Sequence, residues 1–207
     1  MTVDTTRIAA GDLAALLGSR LCHDLVSPLG AIGNGVELLE MSPDFPDIAQ
    51  SPEMRLIAEA VSAARSRIQG YRMAFGVASG DQRIPLAELQ RLLDGMTSQG
   101  RLTITLEAAG DFARTDVRMV MLALMCLETA MPWGGRVTVQ RRSPDWQLVA
   151  SCARLKQDAG LWAWLDGGAA RPPAASEVHF AMLSETAKDA GKRLSYQLDE
   201  KGGQIAF

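Results

Sequence analysis

The sequence is poor in the residues that build metal sites and disulfide frameworks, with three cysteines and two histidines in 207 residues. Cys22, Cys126 and Cys152 are scattered and none sits in a C-x-x-C pair. Neither a disulfide scaffold nor a structural zinc site is therefore expected. Neither sign of charge dominates: Lys and Arg total 21, Asp and Glu total 24, and the net charge is −3. The arginines are dispersed along the chain, so nothing supports nucleic-acid binding by bulk charge. No run of about 18 apolar residues occurs, and no membrane span is expected. The start MTVDTTRIAAGD lacks a basic segment followed by an apolar core, so it does not read as a secretory signal. A cytoplasmic protein is expected. The remainder is ordinary globular composition, 47% hydrophobic and 22% charged, with length for one large domain or two small ones.

Residues 12–41 carry a helical pattern, with Leu13, Leu16, Leu17, Leu21, Leu25, Leu29, Ile32, Val36 and Leu39 at three-and-four spacing. Pro28 lies inside it, but the pattern keeps phase on both sides, which predicts one kinked helix. SPDFPDIAQ (42–50) breaks the helix. Ser51-Pro52-Glu53 then reads as an N-cap, a first-position proline and a first-turn acid. Ile57, Val61, Ala64, Ile68, Tyr71 and Phe75 form a second stripe. The two helices predict an antiparallel hairpin that cannot bury both stripes alone, and a second copy would complete a four-helix bundle across a two-fold axis. A homodimer is expected.

GVASGDQRIP (76–85) is the candidate linker, dividing a helical domain (1–78) from a second domain (79–207). There the pattern predicts a helix from Pro85 to Leu93 and a strand from Arg101 to Glu107. An apolar helix follows from Asp116 to Met131, then strands Val137–Arg141 and Gln147–Ala153 around a Ser143-Pro144-Asp145 turn. A helix from Ser176 to Ala190, a strand Arg193–Leu198, a turn Lys201-Gly202-Gly203 and a last strand Gln204–Phe207 close the chain. The segment 167–175 reads as a loop, with Gly167-Gly168 as a helix stop. The fold class is α+β, with mostly antiparallel strands and helices on one face.

His23 is the residue that stands out. At about 100° per residue, Leu21 and Leu25 flank the buried direction and His23 falls on the opposite, solvent face. Around it that face carries Ser19, Ser27, Gly30 and Asn34, with Arg20 nearby. A long helix usually covers its solvent side with long charged residues. Here the surroundings of one imidazole are short, and Gly30, Gly33 and Gly35 cluster although each glycine costs about 1 kcal/mol against alanine. A solvated histidine on a helix packed closely against a neighbour would also show small residues. A neutral imidazole is a nucleophile, and Asp24, one step round the helix, can orient the ring or take its proton.

His23-Asp24 followed by Pro28 gives H-D-x-x-x-P, which resembles the dimerisation and phosphotransfer helix of histidine kinases. There the histidine is the phosphoacceptor, the adjacent acid assists proton transfer and the proline bends the helix. The second domain has the outline of a kinase ATP-binding domain. Its helix VRMVMLALMCLETAMPWGG (117–135) resembles the one that carries two asparagines for metal and phosphate, but Met125 and Thr129 stand at those positions, with Glu128 the nearest acid. Ala153-Arg154-Leu155-Lys156 replaces the acid-x-Gly-x-Gly box, and GLWAWLDGGAARPPAA is no phosphate cradle.

CHDLVSPLGAIGNGVELL (22–39) looks like the phosphoacceptor helix of the ChpT-type histidine phosphotransferases of alphaproteobacteria. The C-terminal stretch VHFAMLSETAKDAGKRLSYQLDEKGGQIAF is similar in kind. The resemblance implies a dimeric phosphotransferase in which His23 and Asp24 are catalytic and Ser19, Arg20, Ser27, Gly30 and Asn34 dock a partner. It implies a relay from the receiver domain of a hybrid kinase of the CckA type to response regulators of the CtrA and CpdR type. No cofactor or metal is expected on this chain, and magnesium is expected on the partner receiver. A histidine kinase with an aberrant ATP site, or a scaffold that only docks a receiver, are the other readings. His179, Trp133, Trp146, Trp162, Trp164 and Cys22 read as packing residues, with a partner surface the other use for a tryptophan.

Overall fold

The structure, a computed structural model, describes residues 8–77, 81–97, 101–168 and 171–207. The first seven residues of the N-terminal stretch, positions 78–80 of the candidate linker, and positions 169–170 of the 167–175 loop lie outside the described residues. The chain is α+β and divides into two compact units, Met1–Val77 and Ala78–Phe207.

The first unit is a helical hairpin. Helix α1 spans Ala10–Glu40 and runs unbroken through Pro28. After a short 3₁₀ turn at Ile48–Gln50, helix α2 spans Pro52–Phe75. Its start follows the sequence signal. The Ser51 hydroxyl accepts the Met54 N–H at 3.1 Å, satisfying one of the free donors of the first turn, and Pro52 occupies a position that needs no N–H. The helices are antiparallel: Gly18 lies against Phe75, and Gly33 against Val61 and Arg65.

The seam between them differs from the expected leucine stripe. The buried residues of α1 are Ala15, Cys22, Gly33 and Val36; those of α2 are Met54, Gly70, Met73 and Ala74. Small side chains let the two backbones approach, and the leucines are left at the flank. Leu13, Leu17, Leu21, Leu25, Ile32 and Leu39 are all exposed within one chain. Leu21 and Leu25 therefore mark a free apolar flank and not the buried direction.

The second unit contains a five-stranded sheet in the order β2-β4-β5-β7-β6, from Leu102–Glu107 (β2), Gly135–Arg142 (β4), Asp145–Ser151 (β5), Ser195–Leu198 (β6) and Gly202–Ala206 (β7). Among the described residues only β2 and β4 pair in parallel; the other pairs of this sheet are antiparallel. A two-stranded piece joins Arg83–Pro85 (β1) to Asp111–Ala113 (β3). Helix α3 (Leu86–Thr97), helix α4 (Arg114–Ala130), the short α5 (Ala159–Trp162) and helix α6 (Val178–Asp189) complete the unit.

Alternation along the strands decides where the core lies. Val137, Val139, Trp146, Leu148, Ala150 and Ile205 are buried under the helices. The opposite face carries a row of glutamines, Gln147 donating to Gln204 at 2.9 Å and Gln204 donating to Gln197 at 3.0 Å. Helix α4 is buried almost all round, from Val117 through Leu127, as its unbroken apolar sequence requires. Its one buried charge, Asp116, is paired with the Lys192 ammonium at 2.7 Å and accepts the Trp146 indole N–H at 3.3 Å.

Two local expectations are corrected, and one is met. The helix expected from Pro85 begins at Leu86, because Arg83–Pro85 pairs as a strand with Asp111–Ala113, and both three-residue strands are too short to show a period. The expected turn at Lys201-Gly202-Gly203 falls earlier: both glycines lie in β7, where a Cβ on Gly202 would run into the Ala150 carbonyl. The stretch before Gly167 contains α5 and a 3₁₀ turn at Ala163–Asp166. Gly167 then stops it with φ of 78°, the left-handed conformation glycine adopts without strain.

Candidate functional site

Helix α1 presents three faces. Setting Cys22 and Gly33 toward α2, the exposed leucine flank lies on one side and His23 on another, roughly 160° from Leu21 and from Leu25 at helical spacing. The His23 side chain is 82% exposed. Beside it the Asp24 carboxylate holds two partners. One oxygen, Oδ2, accepts from Arg20 Nε at 2.8 Å; the other, Oδ1, lies 3.3 Å from His23 Nδ1. A carboxylate on Nδ1 favours the tautomer with the proton on that nitrogen and leaves the Nε2 lone pair toward solvent.

The five residues expected to dock a partner do not all present alike. Ser27, Asn34 and Arg20 are exposed. Gly30 stands open, since a Cβ there would meet nothing within 4 Å. Ser19 is half-buried and already engaged: its hydroxyl accepts the Val77 N–H at 3.1 Å, tying the end of α2 back to α1. Cys22 packs in the helix seam as expected, and burial pushes its thiol above the ordinary value against the opposing charge of Arg72.

Toward the loop end of the hairpin, a cleft of about 400 Å³ opens between the helices, lined by Gly33, Glu37, Val61, Arg65, Ser66 and Gln69 among others. The apolar spacing does not point to it, because it places Val61 in the second apolar stripe.

In the second unit, the two positions singled out for the missing asparagines have other partners. Met125 is buried. The Thr129 hydroxyl donates to the Met125 carbonyl at 3.0 Å and faces His179 Nε2 at 3.1 Å. With its hydrogen spent on Met125, the hydroxyl accepts from a neutral Nε2–H imidazole. Burial pushes His179 down to about 4, with Glu177 acting in the opposite sense. His179 is thus a packing residue, stacked also on Phe180 at 4.9 Å between ring centroids.

Next to it Arg171 bridges Glu177 at 2.8 Å and Asp158 at 2.9 Å. This link spans the segment between α5 and α6, where no hydrophobic period marks it. The Arg171 guanidinium holds Glu177 down to about 2 and lowers Asp158 as well. Among the described residues no group of three or more His, Cys, Asp and Glu is placed to hold a metal, and no helix is long and apolar enough to cross a membrane.

Trp146 and Trp162 are core residues and Trp133 is 64% exposed, with the Arg154 guanidinium 5.3 Å above its ring.

An exposed histidine with its own carboxylate on a helical hairpin, followed by this sheet domain, defines a class. Residues 86–202 match the family described as histidine phosphotransferase C-terminal domain, more than half of the chain, and the chain belongs to that family. It is similar to the protein phosphotransferase ChpT of Brucella abortus (strain 2308), with 34% identity over 140 residues that take in 67% of this chain and 65% of that protein. The match thus spans just under two thirds of the relative's length. A solved structure of a bacterial phosphotransferase superposes with a TM-score of 0.68 and 24% identity, covering 97% of this chain and 98% of the other; at that identity the likeness is one of fold.

Proposed function

We propose that the chain is a histidine phosphotransferase that relays a phosphoryl group between receiver-domain aspartates through His23. The observation that carries the reading is the His23 imidazole, 82% exposed, with Asp24 on one ring nitrogen and the other free toward solvent. The name of the ChpT relative and the family of the second unit support it.

In the proposed step, the Nε2 lone pair attacks the phosphorus of an aspartyl phosphate in line with the P–O bond. That bond breaks, and its electron pair returns to the receiver's aspartate as a carboxylate. The ring is then a phosphorylated imidazolium. Its Nδ1 proton stays hydrogen-bonded to Asp24, which stabilises the positive charge. A second receiver takes the phosphoryl group by the reverse step. The open Gly30 and the short Ser27 and Asn34 leave room for a receiver to close over the ring. Magnesium belongs to the receiver in this reading. The donor is the receiver of a hybrid histidine kinase, the acceptors are response regulators, and the reaction is cytoplasmic.

The active form is a homodimer. Leu13, Leu17, Leu21, Leu25, Ile32 and Leu39, together with Ile57 and Tyr71, are large apolar side chains that an isolated hairpin leaves in water. A two-fold copy covers them and keeps His23 on the outside.

The test is incubation of the full chain with a receiver domain phosphorylated on its aspartate, followed by mapping of acid-labile label. Label on His23 and none on the His23→Ala variant is expected, with the variant still folded because an exposed side chain contributes little to stability. Label on His179, or undiminished labelling of His23→Ala, overturns the reading.

A further inference from the structure

The pairing of Arg20 with Asp24 is poorly explained as a device for stability. Both side chains are exposed, 73% and 47% respectively, where ion pairs add little. The cation also stands N-terminal to the acid, the weaker order for an i,i+4 pair against the helix dipole.

What the pair does accomplish is geometric. An unpaired aspartate at this position turns freely about its side-chain bonds. With Oδ2 held by Arg20 Nε at 2.8 Å, the carboxylate plane is fixed and Oδ1 is the oxygen left on the His23 side, 3.3 Å from Nδ1. The order Arg20, Asp24, His23 is thus a chain in which a cation orients an acid and the acid orients an imidazole. The first link is short and charge-assisted, and the second is long and needs the first.

We propose that Arg20 is a positioning residue for the phosphoryl transfer: by fixing Asp24 it holds His23 in the Nδ1–H form with Nε2 free to attack. This rests on the relay reading above and gives Arg20 a role separate from touching a docked receiver. The bonds made and broken are those of that step. Phosphorus moves to Nε2, the donor's leaving group keeps the electron pair, and the Nδ1 proton stays between the ring and Asp24.

The two roles for Arg20 separate with a small phosphoryl donor. Phosphoramidate offers a P–N bond to the imidazole and needs no docking surface. The full chain is treated with potassium phosphoramidate and His23 phosphorylation is followed by phosphorus NMR, in wild type, Arg20→Gln, Arg20→Lys, Asp24→Asn and the Arg20→Gln/Asp24→Asn double variant. Nitrogen-15 spectra of the imidazoles report the His23 tautomer directly. A positioning role gives a loss of roughly tenfold in Arg20→Gln, at the foot of the range for groups that orient a reactive imidazole. It also gives a shift toward the Nε2–H tautomer, partial rescue by Arg20→Lys, and no further loss from Arg20→Gln once Asp24 is Asn. Wild-type rates and an unchanged tautomer in Arg20→Gln overturn the proposal and leave the relay reading standing. No phosphorylation of His23 in the wild-type chain overturns both.

Discussion

His179 should make the second unit sensitive to mild acid, and the size of the effect follows from its surroundings. His179 is 6% exposed, and its neutral ring is hydrogen-bonded to Thr129. Burial holds it at about 4, against an ordinary value of 6.5. The folded state therefore resists a proton that the unfolded chain accepts. Stability from this group is complete above the unfolded value and is lost as the pH falls from 6.5 toward 4, at about 1.4 kcal/mol per pH unit. The full window is worth about 3 kcal/mol, a large share of the stability of a small domain.

Glu177 and Asp158 are held low by Arg171, so their contribution is lost only as the pH falls below the ordinary carboxylate range. The two windows barely overlap. All four tryptophans, Trp133, Trp146, Trp162 and Trp164, lie in the second unit, so tryptophan emission in urea reports that unit alone. The comparison is wild type with His179→Gln, whose amide can donate to Thr129 but does not titrate. Between pH 7.5 and 4.5 the wild type should lose about 2 to 3 kcal/mol more than the variant. Parallel curves would show that His179 takes up its proton at no cost and would refute the argument.

Gly30→Arg should leave the hairpin folded, since nothing lies within 4 Å of the new Cβ, yet stop labelling from a phosphorylated receiver; an unchanged transfer rate would deny that this face is where the receiver closes. Ile32→Glu should turn the proposed dimer into a folded monomer by light scattering, because a lone charge buried in that interface would cost about 3 to 5 kcal/mol while the same side chain is exposed in one hairpin. Val61→Glu should instead disturb the hairpin itself, since Val61 lies against Gly33, and circular dichroism should show the lower melting temperature. Calorimetry with ATP and magnesium should show no heat of binding, Met125 being buried and Thr129 committed to Met125 and His179; a micromolar dissociation constant would restore the kinase alternative.

The parts legible in the sequence were those fixed by neighbours in the chain. Ser51 and Pro52 mark the start of α2 because capping is settled within one turn. His23 is exposed as expected, but the leucines that helical phase set opposite it are exposed too, and its outward direction is fixed by the seam at Cys22 and Gly33. The leucine stripe was legible as a stripe, but its partner was not: an apolar row has the same spacing whether it meets the other helix or another molecule. The small residues Ala15, Cys22 and Gly33 that form the actual seam are nearly silent on a hydrophobicity pattern. Contacts between distant positions left no local mark. Thr129 and His179 lie fifty residues apart, and only the fold joins them. Arg171 lies in the 167–175 stretch that reads only as loop, while its partners Asp158 and Glu177 lie outside it.

The arrangement of α1 also constrains how such a protein can change its length. Four successive residues, Cys22, His23, Asp24 and Leu25, go to the helix seam, the open face, the rim and the apolar flank. Each is about 100° from the last. A substitution alters one of these assignments, whereas an inserted or deleted residue upstream rotates every later one together. One extra residue between Leu13 and Leu21 would send Leu13 and His23 to faces about 100° out of step, so that the flank above the insertion and the reactive ring below it no longer serve one geometry. Insertions in lineages that keep the chemistry should therefore be confined to the Met41–Ser51 connection and the helix ends, with the run between Leu13 and Leu39 of constant length.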